Sequence, residues 1–173
     1  MKKIFVAALL VIISFTMFPK SAQAQYANSI GADPISLAFG RLAVTYEHRV
    51  STTNSFSIFG SYWSFVDWTA YGIGGSYRWY LDVGNDKQAL EGLSVGPIVG
   101  IAFWSWGGTV FDNVSYSGGA SIIIGGSAAY KWIFGGGFVV EPNATISFNA
   151  IQPTGFSGYN AFGLGVNLGY AWK

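Results

Sequence analysis

His48 has a serine three positions further along the chain, at Ser51. Histidine can act as the base for a serine nucleophile, and barrels that modify lipid A use such pairs. In a β-strand, however, residues i and i+3 point to opposite faces, so these two side chains would meet only across an irregular turn. We therefore interpret His48 as an interfacial polar residue and predict no catalytic residues.

Other patterns that carry chemistry are missing from the sequence. It contains no HExxH and no phosphate-binding loop, and its many Gly-x-Gly pairs fit strand glycines. It also contains no cysteine, which excludes disulfides and thiolate metal sites. We expect no cofactor, no metal site and no enzymatic activity.

A second set of candidate residues consists of charges on strand faces that otherwise carry small residues. Glu47, Arg78 and Glu141 share their faces with Gly, Ser, Ala and Thr, and Arg41 and Arg49 are in phase with Glu47. A charge in a narrow interior needs a partner and hydrogen bonds. We predict a polar network that fixes the strand register and plugs the interior, formed by Arg41, Glu47, Arg49, Arg78, Glu141, Asn143 and Asn167. A polar path for protons or a small ligand is the functional alternative.

The elements that must position these charges are strands. From Phe162 to Trp172, bulky apolar residues alternate with Gly, Ala and Asn at a period of two, which predicts a strand with one apolar face. The same alternation recurs in segments near residues 41–47, 56–62, 71–80, 93–104, 120–125 and 138–147. With a first strand over residues 28–37, the sequence predicts about eight antiparallel strands in an all-β, up-and-down transmembrane barrel.

Composition decides which face meets the surroundings. Only 10% of the residues are charged while 18% are aromatic, whereas a soluble barrel such as a lipocalin would carry many charges on its outer face. The small residues suit a cramped interior, so we expect the apolar faces to meet lipid. Trp and Tyr favour the headgroup zone. We predict an aromatic girdle of Tyr46, Trp79, Trp104, Trp132, Tyr170 and Trp172, with Tyr80 among further aromatics near strand ends.

The N-terminal segment predicts export. Met1-Lys2-Lys3 is followed by an apolar run from Ile4 to Phe18 and by small residues at Ala22 and Ala24. We expect residues 1–24 to be a cleaved signal peptide and residues 25–173 to form the barrel. The mature chain would carry six Lys and Arg against eight Asp and Glu, a net charge of −2, and no cluster of basic residues that would suit nucleic acid.

Four segments resemble a group of small bacterial barrels of the OmpX and OmpA transmembrane-domain class, a family common in the Bacteroidetes. They are DPISLAFGRLAVTYEHR (33–49), GSYRWY (75–80), VGPIVG (95–100) and YKWIFGGGF (130–138). The likeness extends over nearly the whole mature chain. It implies a small outer-membrane barrel but no established activity.

Three functions are compatible with these features. The favoured one is a structural or surface-interaction protein of the bacterial outer membrane, resembling an adhesin, with the lumen plugged by side chains. The second is a barrel that binds or transports a small apolar molecule, and the third is a lipid-A-modifying enzyme. The expected partners are membrane lipid, lipopolysaccharide, the barrel-assembly machinery and a surface or host protein at the loops, and we expect a monomer.

Overall fold

The structure, a computed structural model, describes residues 26–65, 68–82, 89–106, 117–151 and 161–173. The predicted signal peptide and parts of several predicted loops lie outside these residues. The elements are β1 (Asn28–Ala32), α1 (Pro34–Ala38), β2 (Arg41–Arg49), β3 (Asn54–Phe65), β4 (Trp68–Leu81), β5 (Gly92–Trp106), β6 (Ser117–Ile133), a short 3₁₀ turn (Gly135–Gly137), β7 (Phe138–Ile151) and β8 (Ala161–Trp172).

The eight strands form one closed antiparallel barrel in which each strand pairs with its neighbours in the sequence. The barrel closes where β1 pairs with β8, from Asn28 opposite Trp172 to Ala32 opposite Leu168. This confirms the predicted all-β, eight-stranded up-and-down barrel. Among the described residues, no helix is long and apolar enough to cross a membrane.

The first strand is much shorter than the sequence-based prediction of residues 28–37. It ends at Ala32, and α1 follows because Asp33 caps the helix and Pro34 occupies its first turn. The Asp33 carboxylate accepts hydrogen bonds from the backbone N–H groups of Ile35 and Ser36, at 2.9 and 3.1 Å. The prediction was wrong beyond Ala32, since the Asp-Pro pair starts a helix where a strand would have continued.

The outside of the barrel is apolar, and most of its fully buried side chains are small or polar. Its most buried side chains are largely Ser, Ala, Glu, Arg and Lys, while large apolar side chains are exposed on all eight strands. On β8 the outward Phe162 and Leu164 are 71 and 72% exposed, whereas the inward Ala171 is 1% exposed. On β8, therefore, the bulky apolar residues face outwards and the small residues face the interior, as the sequence predicted.

The two ends of the barrel differ. The end near both termini carries the connection from β2 to β3 and the 3₁₀ turn between β6 and β7. The residues that lead into β5 also lie at this end, and Leu90 among them is fully buried. At the 3₁₀ turn, Gly136 and Gly137 have φ angles of 84° and 97°, a region that favours glycine. We call this end the terminal end and the opposite end the distal end.

Candidate functional site

Four charged side chains meet inside the barrel near its terminal end. Arg78 Nη1 lies 3.1 Å from Glu47 Oε2 and 3.1 Å from Glu141 Oε2, and Lys131 Nζ lies 2.9 Å from Glu141 Oε2. Lys131 also pairs with Glu47. The four residues are only 1–7% exposed. We call Glu47, Arg78, Lys131 and Glu141 the ion cluster.

Neutral side chains satisfy the outer atoms of the ion cluster. The Tyr80 hydroxyl donates to Glu47 Oε1 at 2.7 Å, and the Ser55 hydroxyl donates to the same oxygen. Asn167 Nδ2 donates to Glu141 Oε1 at 3.1 Å, and Lys131 Nζ donates to Ser29 Oγ at 3.0 Å. Side chains from seven strands thus converge on one network that links strands distant in the sequence. These strands are β1, β2, β3, β4, β6, β7 and β8.

The ion cluster contains two carboxylates and two cations, so its formal charge is zero. Each cation contacts both carboxylates, so no charge is left without an opposite charge beside it. Neutrality matters because an unpaired ion in a low-dielectric interior costs several kcal/mol. Within the described residues, Arg78 Nε is the buried side-chain atom without a hydrogen-bond partner.

The structure brings together only part of the network predicted from the sequence. Glu47, Arg78, Glu141 and Asn167 belong to it. Arg41 lies six residues from Glu47 on β2, about 20 Å away at 3.3 Å per residue, and lines a separate cavity. Arg49, at the terminal end of β2, is half-buried and forms none of the cluster's ion pairs among the described residues.

Asn143 contacts the network only at its edge. Its Nδ2 atom donates to the backbone carbonyl of Glu141 at 3.4 Å. Its side chain also lines a cavity, described below, on the distal side of the ion cluster. The alternation in the sequence therefore identifies the acids and one cation of the cluster, whereas the two predicted arginines from the ends of β2 lie outside it.

Two members of the network were missed. Lys131 lies between the segments near residues 120–125 and 138–147 for which the sequence predicted strands, but β6 continues to Ile133 and keeps Lys131 in the inward phase of Ser127 and Ala129. Tyr80 was grouped with the interfacial aromatics, which was wrong, because it is inward and buried. The alternation of inward and outward residues could have placed both side chains inside. Lys131 lies between the outward Tyr130 and Trp132, and Tyr80 is two residues from the inward Arg78.

A cavity of about 550 Å³ occupies the barrel on the distal side of the ion cluster. Its lining is mainly apolar or small, including inward-facing Phe59, Ile98, Ile123 and Trp104, with Arg78 at the cluster. The volume lies within the roughly 300–1,000 Å³ typical of small-molecule sites. Only part of the lumen is therefore filled by side chains.

The barrel wall is incomplete beside this cavity. β1 reaches only Ala32, which pairs with Val44 on β2 and Leu168 on β8, whereas β8 continues for seven residues towards the distal end. Among the described strands, none pairs with residues 161–167 of β8 on the β1 side. Helix α1 lies over this gap and contacts both β2 and β8.

Asp33 connects α1 to the unpaired edge of β8. Besides capping α1, its carboxylate accepts the backbone N–H of Val166 and, at 2.7 Å, the hydroxyl of Ser36. A side chain at Gly165 would collide with it, since an added Cβ would lie 2.6 Å from Asp33 Oδ2. One carboxylate thus replaces the first hydrogen bond that a longer β1 would have made with β8.

Five of the six predicted girdle aromatics form an outward belt at the terminal end. Tyr46, Trp79, Trp132, Tyr170 and Trp172 are exposed and lie near the terminal-end limits of β2, β4, β6 and β8. The Tyr170 and Trp172 rings stack at a centroid distance of 6.5 Å.

The assignment of Trp104 to the girdle was wrong. Its side chain lies on the lumen face near the distal end, where the indole N–H donates to Ser121 Oγ at 2.9 Å. Trp104 shares the inward phase of Ala102 on β5, which is buried. A large aromatic fits inside because the cavity leaves room for it.

His48 and Ser51 do not form a pair. His48 lies outward and its Nδ1 atom is 2.9 Å from Asn28 Oδ1, which also accepts the Tyr46 hydroxyl at 2.8 Å. Ser51 Oγ instead accepts the backbone N–H groups of Thr53 and Asn54, at 3.2 and 3.0 Å, and so shapes the turn before β3.

Comparison with known proteins gives a fold likeness. No model of a protein family matches the chain, and no curated protein matches it. A solved structure, the N-terminal β-barrel domain of Pseudomonas aeruginosa OprF, is similar with a TM-score of 0.51 and 14% sequence identity. The match covers 86% of this chain and 100% of that chain. At this identity the likeness shows the β-barrel fold alone, and the resemblance to the OmpX and OmpA class and to a Bacteroidetes family stays a prediction.

Proposed function

We propose that this protein is an integral barrel of the bacterial outer membrane, with a non-enzymatic role, and that its ion cluster closes the lumen to ions. The observation that carries the proposal is the inverted polarity of the barrel. Its interior near the terminal end holds Glu47, Arg78, Lys131 and Glu141, while isoleucine, leucine, valine and phenylalanine side chains cover its outside. A surface of this kind far exceeds the few hundred Å² of contiguous apolar area that a soluble monomer exposes.

Two further features support a bilayer as the surroundings. A closed barrel satisfies its backbone hydrogen bonds without water, as a spanning structure must. The aromatic belt at the terminal end suits a membrane interface. In outer-membrane barrels the short turns and the termini face the periplasm, so the distal end would face outwards and meet lipopolysaccharide.

The ion cluster suits a structural role. It spans the lumen at the terminal end, and the cavity ends against it at Arg78. Because every charge in it is paired, a passing ion would have to separate buried ion pairs. The sequence-based hypothesis of host or surface contacts concerns mainly distal-end loops outside the described residues, and it stays a hypothesis.

Cell fractionation tests the location, and planar bilayers test the closed lumen. We expect the protein in carbonate-washed outer membranes, with heat-modifiable gel mobility and a β-type circular dichroism spectrum in detergent. Recovery in the soluble periplasm would contradict the proposal. We also expect no stable single-channel conductance, and a well-defined channel from the wild-type protein would show that the cluster leaves a path.

A further inference from the structure

The cavity, the gap beside it and the polarity of α1 lead to an inference that depends on the proposed membrane location. We propose that the cavity binds a single-chain amphiphile of the fatty-acid class, which enters from the outer leaflet of the membrane through the gap between β2 and β8. The entry route is lateral, through the barrel wall and beneath α1.

The gap lies at the depth of the apolar band. About ten residues of a tilted strand cross an apolar band roughly 25 Å tall. Counted from Trp172 in the terminal-end belt, ten residues of β8 reach the neighbourhood of Phe162. Residues 161–167, which lack a strand partner on the β1 side, therefore occupy the distal half of the band, which is the outer leaflet in the proposed orientation.

The space between β2 and β8 has the width of one missing strand, and α1 covers it. Neighbouring strands are about 4.8 Å apart, so removal of one strand leaves β2 and β8 separated by roughly 9.6 Å. α1 closes this space with one helical turn rather than a ladder of strand hydrogen bonds. Ile35, Leu37 and Phe39 in and after α1 are 49–73% exposed, so the cover presents an apolar surface to the membrane.

The cavity lining fits an apolar chain with a negatively charged head. Phe59, Ile98 and Ile123 offer an apolar wall. Within the described part of the chain, three charged residues line the cavity: Arg78 is paired with two carboxylates and Asp33 is bonded to α1 and β8. Arg41 is the third, and it stands exposed at the distal end of β2, beside the gap, where its guanidinium can meet a carboxylate.

Isoleucine methyl groups on the two faces of β5 and β6 provide a direct test. Ile98 and Ile123 face the cavity, whereas Ile101 and Ile122 on the same strands face outwards. The full chain in lipid nanodiscs would be studied by methyl NMR with two probes, 16-doxyl stearate and a phosphatidylcholine that carries the same nitroxide. The two-chain lipid measures broadening through the wall, because it cannot enter a single-chain site.

We expect the lipid probe to broaden Ile101 and Ile122 more than Ile98 and Ile123, and the stearate probe to reverse this order. The same order with both probes would overturn the cavity proposal and leave the proposed membrane location intact. If the lipid probe broadened none of the four methyl groups, the membrane location itself would fail.

Variants at the gap make the test specific. Ala43→Trp places a large side chain inwards beside the gap, and Leu42→Trp places the same side chain outwards one residue away. We expect the stearate-induced reversal to be lost in Ala43→Trp and kept in Leu42→Trp. Arg41→Gln should weaken stearate binding roughly tenfold, as expected for the loss of a charge-assisted hydrogen bond. Unchanged binding in Ala43→Trp and Arg41→Gln would contradict entry at this gap.

Discussion

Replacing Lys131 by methionine tests whether the ion cluster stabilises the barrel through charge balance. The substitution preserves most of the side-chain volume but removes one of the two cations. Glu47 and Glu141 would then share Arg78 alone, and the cluster would carry a net charge of −1 in the centre of the barrel. The hydrogen bond from Lys131 to Ser29 would also be lost.

The expected loss of stability is large because both carboxylates are almost fully buried. Breaking a buried ion pair by removing one partner costs about 3–5 kcal/mol. With a urea dependence of about 2 kcal/mol per M, this loss corresponds to a decrease of roughly 1.5–2.5 M in the midpoint of unfolding. Lys131→Met combined with Glu47→Gln restores neutrality, since the pair of Arg78 and Glu141 remains, and it should recover part of this loss.

The assay is urea unfolding in lipid vesicles, followed by tryptophan fluorescence and by heat-modifiable gel mobility. Lys173→Met is the matched control, because it removes the same charge from the exposed end of the chain and should change the midpoint little. A midpoint for Lys131→Met within about 0.25 M of wild type, equivalent to roughly 0.5 kcal/mol, would refute the reasoning. So would a double variant less stable than Lys131→Met alone.

Three further substitutions test other parts of the structure. Val166→Arg places a charge near the bilayer midplane and should lower stability in vesicles by about 2–4 kcal/mol in the same assay, whereas a tolerated arginine would mean that β8 does not face lipid. His48→Ala removes only an exposed hydrogen bond to Asn28. The urea midpoint and the lipid A profile measured by mass spectrometry should therefore stay nearly unchanged. Loss of a lipid A modification in this variant would favour an enzyme. Gly169→Ala should destabilise the closure of the barrel by about 1–3 kcal/mol, because its Cβ would lie 1.9 Å from a backbone oxygen of β1. Gly126→Ala is the control, since its Cβ would lie 3.8 Å from the nearest atom. Equal thermal stabilities of the two variants would contradict this packing.

The alternation of residues was sufficient to predict the strands and their faces. A period of two places Leu164 outside and Asn167 inside without knowledge of the partner strands. The closed eight-stranded barrel followed from counting such segments. The same phase rule also places Lys131 and Tyr80 inside, but Lys131 lay beyond the predicted end of its strand and Tyr80 was interpreted as an interfacial aromatic.

Features that depend on contacts between distant residues could not be predicted from the pattern. The local Asp33-Pro34 pair ends β1, but the attachment of α1 to β8 depends on the Asp33 carboxylate, which reaches Val166, 133 positions away. The cavity depends on how far Phe59 and Trp104 extend across the lumen, which the pattern on each strand does not encode. Arg41 is in phase with Glu47 but belongs to the cavity, since phase gives the face of a strand and not the depth in the barrel.

The most direct test of the central claim, that this barrel faces lipid with its apolar side, uses six consecutive residues of β7. The chain has no cysteine, so single cysteines can be introduced at positions 143–148, labelled with bimane and exposed to brominated lipids in vesicles. We predict strong quenching at Ala144, Ile146 and Phe148, which face outwards, and weak quenching at the inward positions 143, 145 and 147. Uniformly weak quenching, or quenching in the opposite phase, would contradict the account.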